Sequence, residues 1–441
     1  MSSVREFPET ERPETATVCV VGMGYVGLPL AVAFDDADQD VVGFDIDERK
    51  VSALNDGVDT TEGDIGDDRI ENCDVEFTTE ATAIGDADYA IVAVPTPVDD
   101  QGTPNLDFVE SAGETVGEYL APGTTVVLES TVYPGATREV LVPAVERASG
   151  FTAGEDFHVG YSPERVVPGT DRTISDVVKI VGADDEDVRD DLADLYERVV
   201  AAGVYPAPSV EVAEAAKVVE NTQRDLNIAL MNELSVAFEH IGLDTDEVLD
   251  AAATKWNFHD GYRPGLVGGH CIPVDPNYLA YRTQREGFTP KLIEQARETN
   301  EHMPTHTAQL TLKALNDSGK VPRDSRLLVL GLTYKPNVAD IRTSEISGVI
   351  DELRTYDAEV AGHDPHADPA AVRETFDVEV QDELDLEGFD GLILGVDHDA
   401  YDDLSLGDLA GALSDDPVLV DVPGRFDEAM AEKHGFTYRR L

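Results

Sequence analysis

Thr17-Val18-Cys19-Val20-Val21, followed at once by Gly22-Met23-Gly24-Tyr25-Val26-Gly27, is the stretch that decides the fold. A short apolar run without polar alternation reads as a parallel strand buried on both faces. The glycines then close a turn, and a helical pattern runs to about Asp36. A second strand, Val41-Val42-Gly43-Phe44, ends at Asp45. A bare GxGxxG is ordinary turn chemistry; strand, glycine turn, helix, strand and acid in this order make a dinucleotide fingerprint. Gly22 and Gly24 allow a tight turn and the close approach of a pyrophosphate to the helix N-terminus, with Tyr25 and Val26 in the same turn. Gly27 lets the helix pack on the sheet. Asp45 is expected to accept hydrogen bonds from the adenosine ribose hydroxyls. Its charge repels a 2′-phosphate, so the cofactor expected is NAD.

Further strands read at Tyr89 to Val94 and Thr124 to Leu128. They end in Pro95-Thr96-Pro97 and in Glu129-Ser130-Thr131-Val132-Tyr133-Pro134-Gly135, which puts Thr96 and Thr131 beyond strand C-termini, where open α/β sheets bind ligands. From about Val210 past Ile241 the pattern is helical. Lys217 and Asn221 are four apart and share a face. Asn221-Thr222-Gln223-Arg224-Asp225-Leu226-Asn227 is too polar for a simple packed helix, so it is expected to line a cleft or a subunit interface. After Pro322 a second α/β unit begins with the strand Arg326 to Leu330 and Gly331-Leu332-Thr333-Tyr334-Lys335-Pro336. Strands at Gly391 to Val396 and Val418 to Val420 continue it. Without a GxGxxG it should bind a different ligand from the first.

Composition sets outer limits. The chain has 441 residues, enough for two or three domains, and 41% of them are hydrophobic, enough for real cores. It carries 32 basic and 90 acidic residues, a net charge of −58, and the acid is spread over nearly every segment. That pattern reads as an acidic surface all round, suited to a salt-rich cytoplasm. It disfavours nucleic acid as a partner. Met1 to Thr15 has no signal-peptide core. The longest apolar run, Val18 to Phe34, is broken by Gly22, Gly24, Gly27 and Pro29, so no membrane span is expected. Lysine is scarce, nine against 23 arginines, which makes Lys217 and Lys335 conspicuous. Three irregularly spaced cysteines argue for a reducing compartment rather than a disulfide framework. Cys19 reads as strand filler and Cys73 lies in an acidic loop. Cys271, in Pro264-Gly265-Leu266-Val267-Gly268-Gly269-His270-Cys271-Ile272-Pro273-Val274-Asp275-Pro276, is placed like a nucleophile, with glycines that let a substrate approach the backbone.

Taken together, the chain resembles the UDP-sugar 6-dehydrogenase family over nearly its full length. The resemblance is carried by the GxGYVG turn, Ser130-Thr131-Val132, Ser162-Pro163-Glu164, Lys217 with Asn221, the Cys271 loop and Gly331-Leu332-Thr333-Tyr334-Lys335-Pro336, all in the family's order. It implies an α/β fold of two Rossmann-like domains joined by a central helical dimerisation region. The division expected is an NAD-binding domain over 1–205, a helical region with the cysteine loop over 206–315, and a UDP-sugar-binding domain over 316–441. It also implies four-electron oxidation of a sugar C6 alcohol by two NAD⁺, through a thiohemiacetal and a thioester on the cysteine, in a homodimer or higher homo-oligomer.

By the same resemblance, Cys271 matches the nucleophile, and Lys217 and Asn221 match the pair that stabilises the C6 oxyanion. Asp275 matches a carboxylate that orders water together with Thr131, and Glu164 matches the acid/base of thioester hydrolysis. Glu164, Arg165, Lys217, Asn221, Arg263, Gly268 and Lys335 fall at substrate-binding positions, with Arg342 and Arg425 at basic positions near nucleotide or partner subunit. Members acting on UDP-glucose carry Ser before the cysteine and an acid after the Pro-Glu pair, where this chain has His270 and Pro168. His-Cys, the Asn221–Asn227 stretch and Thr254-Lys255-Trp256-Asn257-Phe258 are similar to the subgroup acting on UDP-N-acetylhexosamines (the N-acetylglucosamine, galactosamine or mannosamine forms). The alternatives are UDP-glucose as substrate, a single-step hydroxyacid dehydrogenase, and a non-catalytic sugar-nucleotide binding protein. Zinc on His270, Cys271 and His259 is not expected, because adjacent residues rarely ligate one tetrahedral ion.

Overall fold

The computed structural model describes residues 15–61, 65–99, 101–166 and 172–441. Pro168 and nearly all of Met1–Thr15 lie outside these. The chain divides into two compact units, one ending at Val218 and one beginning at Val219.

The first unit is built on eight strands: β1 (Thr17–Val21), β2 (Asp40–Phe44), β3 (Glu76–Thr78), β4 (Tyr89–Val92), β5 (Thr125–Leu128), β6 (His158–Tyr161), β7 (Lys179–Ala183) and β8 (Val204–Ala207). Their order is β3-β2-β1-β4-β5-β6-β7-β8, and all neighbours are parallel except β6 and β7. The first six reproduce the doubly wound dinucleotide-binding order. Val18, Cys19 and Val20 are fully buried and every residue of β4 and β5 is buried, which accounts for apolar runs without alternation. Burial pushes the Cys19 thiol up to about 12, so it is inert packing.

Strand ends differ from the sequence reading where side chains intervene. β4 stops at Val92 rather than Val94, because the Ser130 hydroxyl accepts from the Val94 amide at 2.9 Å and donates to the Val94 carbonyl at 2.7 Å. Likewise the strand expected to reach Val396 ends at Leu394, since the amides of Gly395 and Val396 both turn to the Leu330 carbonyl.

The second unit opens with helices, the 32-residue helix Val210–Ile241 carrying the chain into it, followed by Thr245–Ala253, Asp275–Arg285 and Lys291–Asp317. Six parallel strands follow: β9 (Arg326–Leu330), β10 (Glu359–His363), β11 (Glu379–Val380), β12 (Gly391–Leu394), β13 (Val418–Asp421) and β14 (Thr437–Arg440). Their order, β11-β10-β9-β12-β13-β14, repeats that of the first six strands of the other sheet. Helix Lys291–Asp317 covers this sheet, with Leu310, Ala314 and Leu315 in one core with Leu327, Val329 and Val420. The likeness extends to detail. Gly331, after β9, has φ +82, as Gly22 after β1 has φ +102, and a Cβ on either would strike the backbone beyond the fourth strand, at Val396 or Ala93.

The polar stretch Asn221–Asn227 is helical, and its polarity has an inward explanation. Asp225, fully buried, accepts from Arg297 at 2.6 Å and from Asn300 at 2.8 Å. These residues bond one another inside the second unit, although Asp225 Oδ2 and Arg297 Nε are left without a hydrogen-bond partner among the described residues. Only Gln223 and Arg224 of the stretch are exposed.

Candidate active site

In the first unit the expected cofactor residues gather at the C-terminal edge of the sheet. Gly22 and Gly27 are closed in: a Cβ on Gly22 would lie 2.6 Å from the Ala93 carbonyl oxygen, and one on Gly27 would overlap the Gly22 carbonyl. Gly24 is the open position, where a Cβ would meet nothing. It precedes helix Gly27–Asp36, in whose first turn Leu28 and Leu30 donate to the carbonyls of Gly24 and Val26 and Pro29 has no N–H, so the open space over Gly24 is where a pyrophosphate can come close to the helix N-terminus. Tyr25 is exposed beside it. Thr96 donates to the Thr131 carbonyl at 2.8 Å, tying the turn after β4 to the turn after β5.

Asp45 ends β2 as expected, yet its carboxylate is already engaged. Oδ2 accepts from the Met23 amide and from Lys50 Nζ, both at 2.8 Å, and Oδ1 accepts from the Asp47 amide at 2.9 Å. Burial would raise this carboxyl, but Lys50 and the two amides hold it below the ordinary range. One lone pair of Oδ1 remains for a ribose hydroxyl. Lys50, which the sequence reading did not single out, offsets part of the repulsion toward a 2′-phosphate.

Glu164 follows β6. Its Oε1 accepts from the amides of Arg165 and Val166 at 2.6 and 2.5 Å, while Oε2 is buried, has no hydrogen-bond partner among the described residues, and lies 3.6 Å from Lys179 Nζ. Burial alone would raise Glu164, but Lys179, the two amides and Lys217 hold it low. Lys217 is itself buried rather than decorating the surface. Arg165, expected at the substrate, donates from its guanidinium to the Val178 carbonyl.

The second unit holds the thiol. Cys271 is exposed, one turn ahead of helix Asp275–Arg285, and its carbonyl accepts from the amides of Val274 and Asp275 at 3.1 and 2.9 Å. Pro276 suits the start of that helix, where its missing N–H costs nothing. Asp275 is almost fully buried and accepts from Asn221 Nδ2 at 2.6 Å. Asn221, Asp275 and the Cys271 turn are thereby brought together. Asn221 stands one helical turn beyond Lys217 on the same helix.

Two of the glycines before the thiol are closed in by the protein itself, while Gly265 is open. A Cβ on Gly268 would come 2.5 Å from the Thr343 carbonyl, and one on Gly269 would come 2.9 Å from the Tyr334 ring. Segment 334–343 therefore occupies the space beside them. His270 Nε2 lies 3.2 Å from Asp340 Oδ2, and Asp340 also accepts from Arg342. Lys335 Nζ sits 5.4 Å from the Tyr334 ring centroid. Arg263 is held on Asp246 and Asp250 and on the carbonyls of Asp260 and Tyr262, and Arg425 pairs with Asp397.

Sequence reading missed Lys50, Glu129, Lys179 and Asp340. Two of them left a trace: Lys179 interrupts the apolar run Val177-Val178-Lys179-Ile180-Val181, and Glu129 directly follows a buried strand.

Comparison with known proteins gives the family. Models of the UDP-glucose/GDP-mannose dehydrogenase family match in three parts, the NAD binding domain over residues 16–200, the central domain over 211–302 and the UDP binding domain over 328–428. The chain belongs to this family. Protein CapL of Staphylococcus aureus is 42% identical over 408 residues, covering 92% of this chain and 95% of that protein. A UDP-N-acetyl-D-glucosamine 6-dehydrogenase of Salmonella typhi is 41% identical over 410 residues, with the same coverage. The solved structure of a UDP-D-ManNAc dehydrogenase from Pyrococcus horikoshii matches with a TM-score of 0.87 at 29% identity, covering 96% of this chain and 99% of that one. This member of the UDP-glucose/GDP-mannose dehydrogenase family is an NAD-dependent oxidoreductase of α/β fold. Among its described residues, no helix is long and apolar enough to cross a membrane.

Proposed function

We propose that the protein oxidises the C6 alcohol of a UDP-N-acetylhexosamine to the carboxylate, with Cys271 as the covalent nucleophile. The observation that carries this reading is the hydrogen bond from half-buried Asn221 to buried Asp275, beside the turn that presents an exposed Cys271. A single-step dehydrogenase has no use for that thiol.

NAD⁺, held at the Gly22–Gly27 turn and Asp45, would supply the hydride acceptor for two successive two-electron oxidations. At the aldehyde stage Cys271 Sγ bonds to C6, giving a thiohemiacetal whose oxidation yields a thioester. Water then adds to the thioester carbonyl, the C–S bond breaks, and carboxylate and thiolate are released. The Lys217 ammonium and the second N–H of the Asn221 amide, the first being taken by Asp275, stabilise the oxygen on C6 as charge develops. Asp275 fixes that amide and, with Thr131, orders the attacking water. Glu164 takes the water's proton at Oε2, the oxygen left unbonded. Residues 1–205 act in cofactor binding, 206–315 in dimerisation and nucleophile delivery, and 316–441 in holding the UDP group with Lys335.

The N-acetylhexosamine reading is supported by the His270–Cys271 pair and by the activity named for the Salmonella typhi relative. The net charge of −58 supports work in a salt-rich cytoplasm, and the family resemblance implies a homo-oligomer. The test offers UDP-glucose and the three UDP-N-acetylhexosamines separately, with NAD⁺, in molar KCl. A higher kcat/KM for at least one acetamido sugar than for UDP-glucose is expected. Preference for UDP-glucose over all three would overturn the substrate reading and leave the family intact.

A further inference from the structure

Behind Glu164 lies a closed set of ionisable groups with no assigned part in the reaction. Lys179 is buried, its side chain 3% exposed, and donates to Glu129 Oε1. Glu129 is wholly buried and accepts from the Tyr196 hydroxyl on its other oxygen at 2.8 Å. The same ammonium lies 3.6 Å from the unbonded Oε2 of Glu164 and 5.3 Å from the Tyr196 ring centroid. Ser162 Oγ, two residues before Glu164, is a second buried oxygen without a partner among the described residues.

Topology explains how a lysine comes to be there. In a parallel sheet the first residue of each strand lies at the edge opposite the ligand-binding one. β7 runs antiparallel to β6, with Gly160 opposite Ala183 and Tyr161 opposite Gly182. Its first residue, Lys179, is therefore returned to the edge where β5 and β6 end in Glu129 and Glu164. A strand reversal that delivers a buried cation to the reactive edge, between two carboxylates, is hard to account for as packing. Apolar residues of similar volume at both 129 and 179 would pack there without the desolvation cost of that ion pair.

We propose that Lys179 and Glu129 are positioning residues for Glu164: one ammonium shared between two carboxylates sets how readily Glu164 takes up and returns the proton of thioester hydrolysis. This rests on the reading of Glu164 as that acid/base. Two carboxylates and one ammonium leave the cluster one negative charge in excess, which burial resists. Burial accordingly pushes Glu129 up to about 7 against the pull of Lys179, while Lys179 itself stays charged. The remaining groups facing the cluster are Tyr196 from helix Glu186–Glu197, Lys217 from helix Val210–Ile241, and Arg165 beside Glu164. When Glu164 accepts the proton, the ammonium is left to Glu129 alone. When Glu164 gives it up, the ammonium is shared again. The two carboxyls thus titrate as a pair.

The test is Glu129→Gln in the full-length enzyme in molar KCl, a change that keeps an amide oxygen to accept from Lys179 and sets the NH2 against the Tyr196 oxygen, which can accept. Lys179 then belongs to Glu164 alone, making it a weaker base. The acid limb of the kcat–pH profile should move down by about one pH unit, and kcat at pH 8 should fall roughly three- to tenfold. KM for NAD⁺ and sugar nucleotide should stay within about twofold, and the Cys271 adduct should accumulate in intact-protein mass spectra. Tyr196→Phe, which removes one donor to Glu129, should shift the limb the same way by less. Glu129→Asp, which restores a carboxylate, should move it back toward wild type. A Glu129→Gln profile that overlays the wild type, or limbs unmoved in Tyr196→Phe if the glutamine variant does not fold, overturns the proposal. Glu164→Gln separates the two levels. If it blocks hydrolysis while Glu129→Gln changes nothing, only the pair's role falls; if it turns over normally, Glu164's role falls and the pair's with it.

Discussion

At Cys271 the backbone has already spent its carbonyl on the amides of Val274 and Asp275, which leaves the side chain exposed ahead of a helix N-terminus. Cys271→Ser keeps that turn and exchanges a good nucleophile for a poor one. Release of uronate should fall by at least about a thousandfold, with NAD⁺ affinity within about twofold. Wild-type-like uronate release by this variant would remove the thiol from the mechanism. Asp45 argues a second residue-scale prediction. Replacing it with alanine frees Lys50 beside the ribose, so the preference for NAD over NADP should shrink by roughly tenfold, about 1.4 kcal/mol. The check is kcat/KM for both cofactors, and an unchanged ratio would contradict the placement of Asp45 and Lys50.

Helix Val210–Ile241 carries one buried carboxylate that links it to the cofactor-side turns. Glu214 accepts from the amides of Gly135 and Thr137 and from the Thr137 hydroxyl, so it clamps the turn after β5 to the helix face that carries Lys217 one turn on. Burial outweighs these donors and pushes Glu214 from 4.5 up to about 7. A carboxyl raised on folding contributes stability that is complete below about 4.5 and is lost as pH rises through 7. The limit is on the order of 3 kcal/mol. Relative to Glu214→Gln, the wild type should therefore gain stability between pH 8 and pH 5.5, read as a growing difference in Tm at fixed molar KCl. A difference independent of pH would show that Glu214 does not titrate there. No periodicity announces such a residue, because Glu214 in an amphipathic pattern looks like any helical glutamate. What was legible was what repeats: the glycine turn, the apolar strands and the long helix, each set by local chemistry. Short strands such as β3 and β11, and the reversal at β7, depend on partners distant in sequence and left no local mark. The same holds for the site. Cys271, Asn221 and Asp275 stood out by their motif, whereas Glu129 and Lys179 gain meaning only when two strand ends and a reversed strand start are adjacent.

Over the whole molecule, a charge of −58 spread through the sequence repels itself wherever counterions are dilute. Tm should rise by roughly 10 °C or more between about 0.1 M and about 3 M KCl. A Tm indifferent to salt would contradict adaptation to a salt-rich interior. The repeated strand order lets two units of one design take different ligands, because only the first carries the GxGxxG turn. The central claim, that this protein carries one sugar through two oxidations, the second on a thiol, meets its most direct test in stoichiometry. A limiting amount of UDP-N-acetylhexosamine is consumed to completion with excess NAD⁺ in molar KCl, and NADH is counted against sugar nucleotide. Two NADH per sugar, with uronate as the product, is the result expected. One NADH per sugar, with an aldehyde or ketone left in solution, would contradict it.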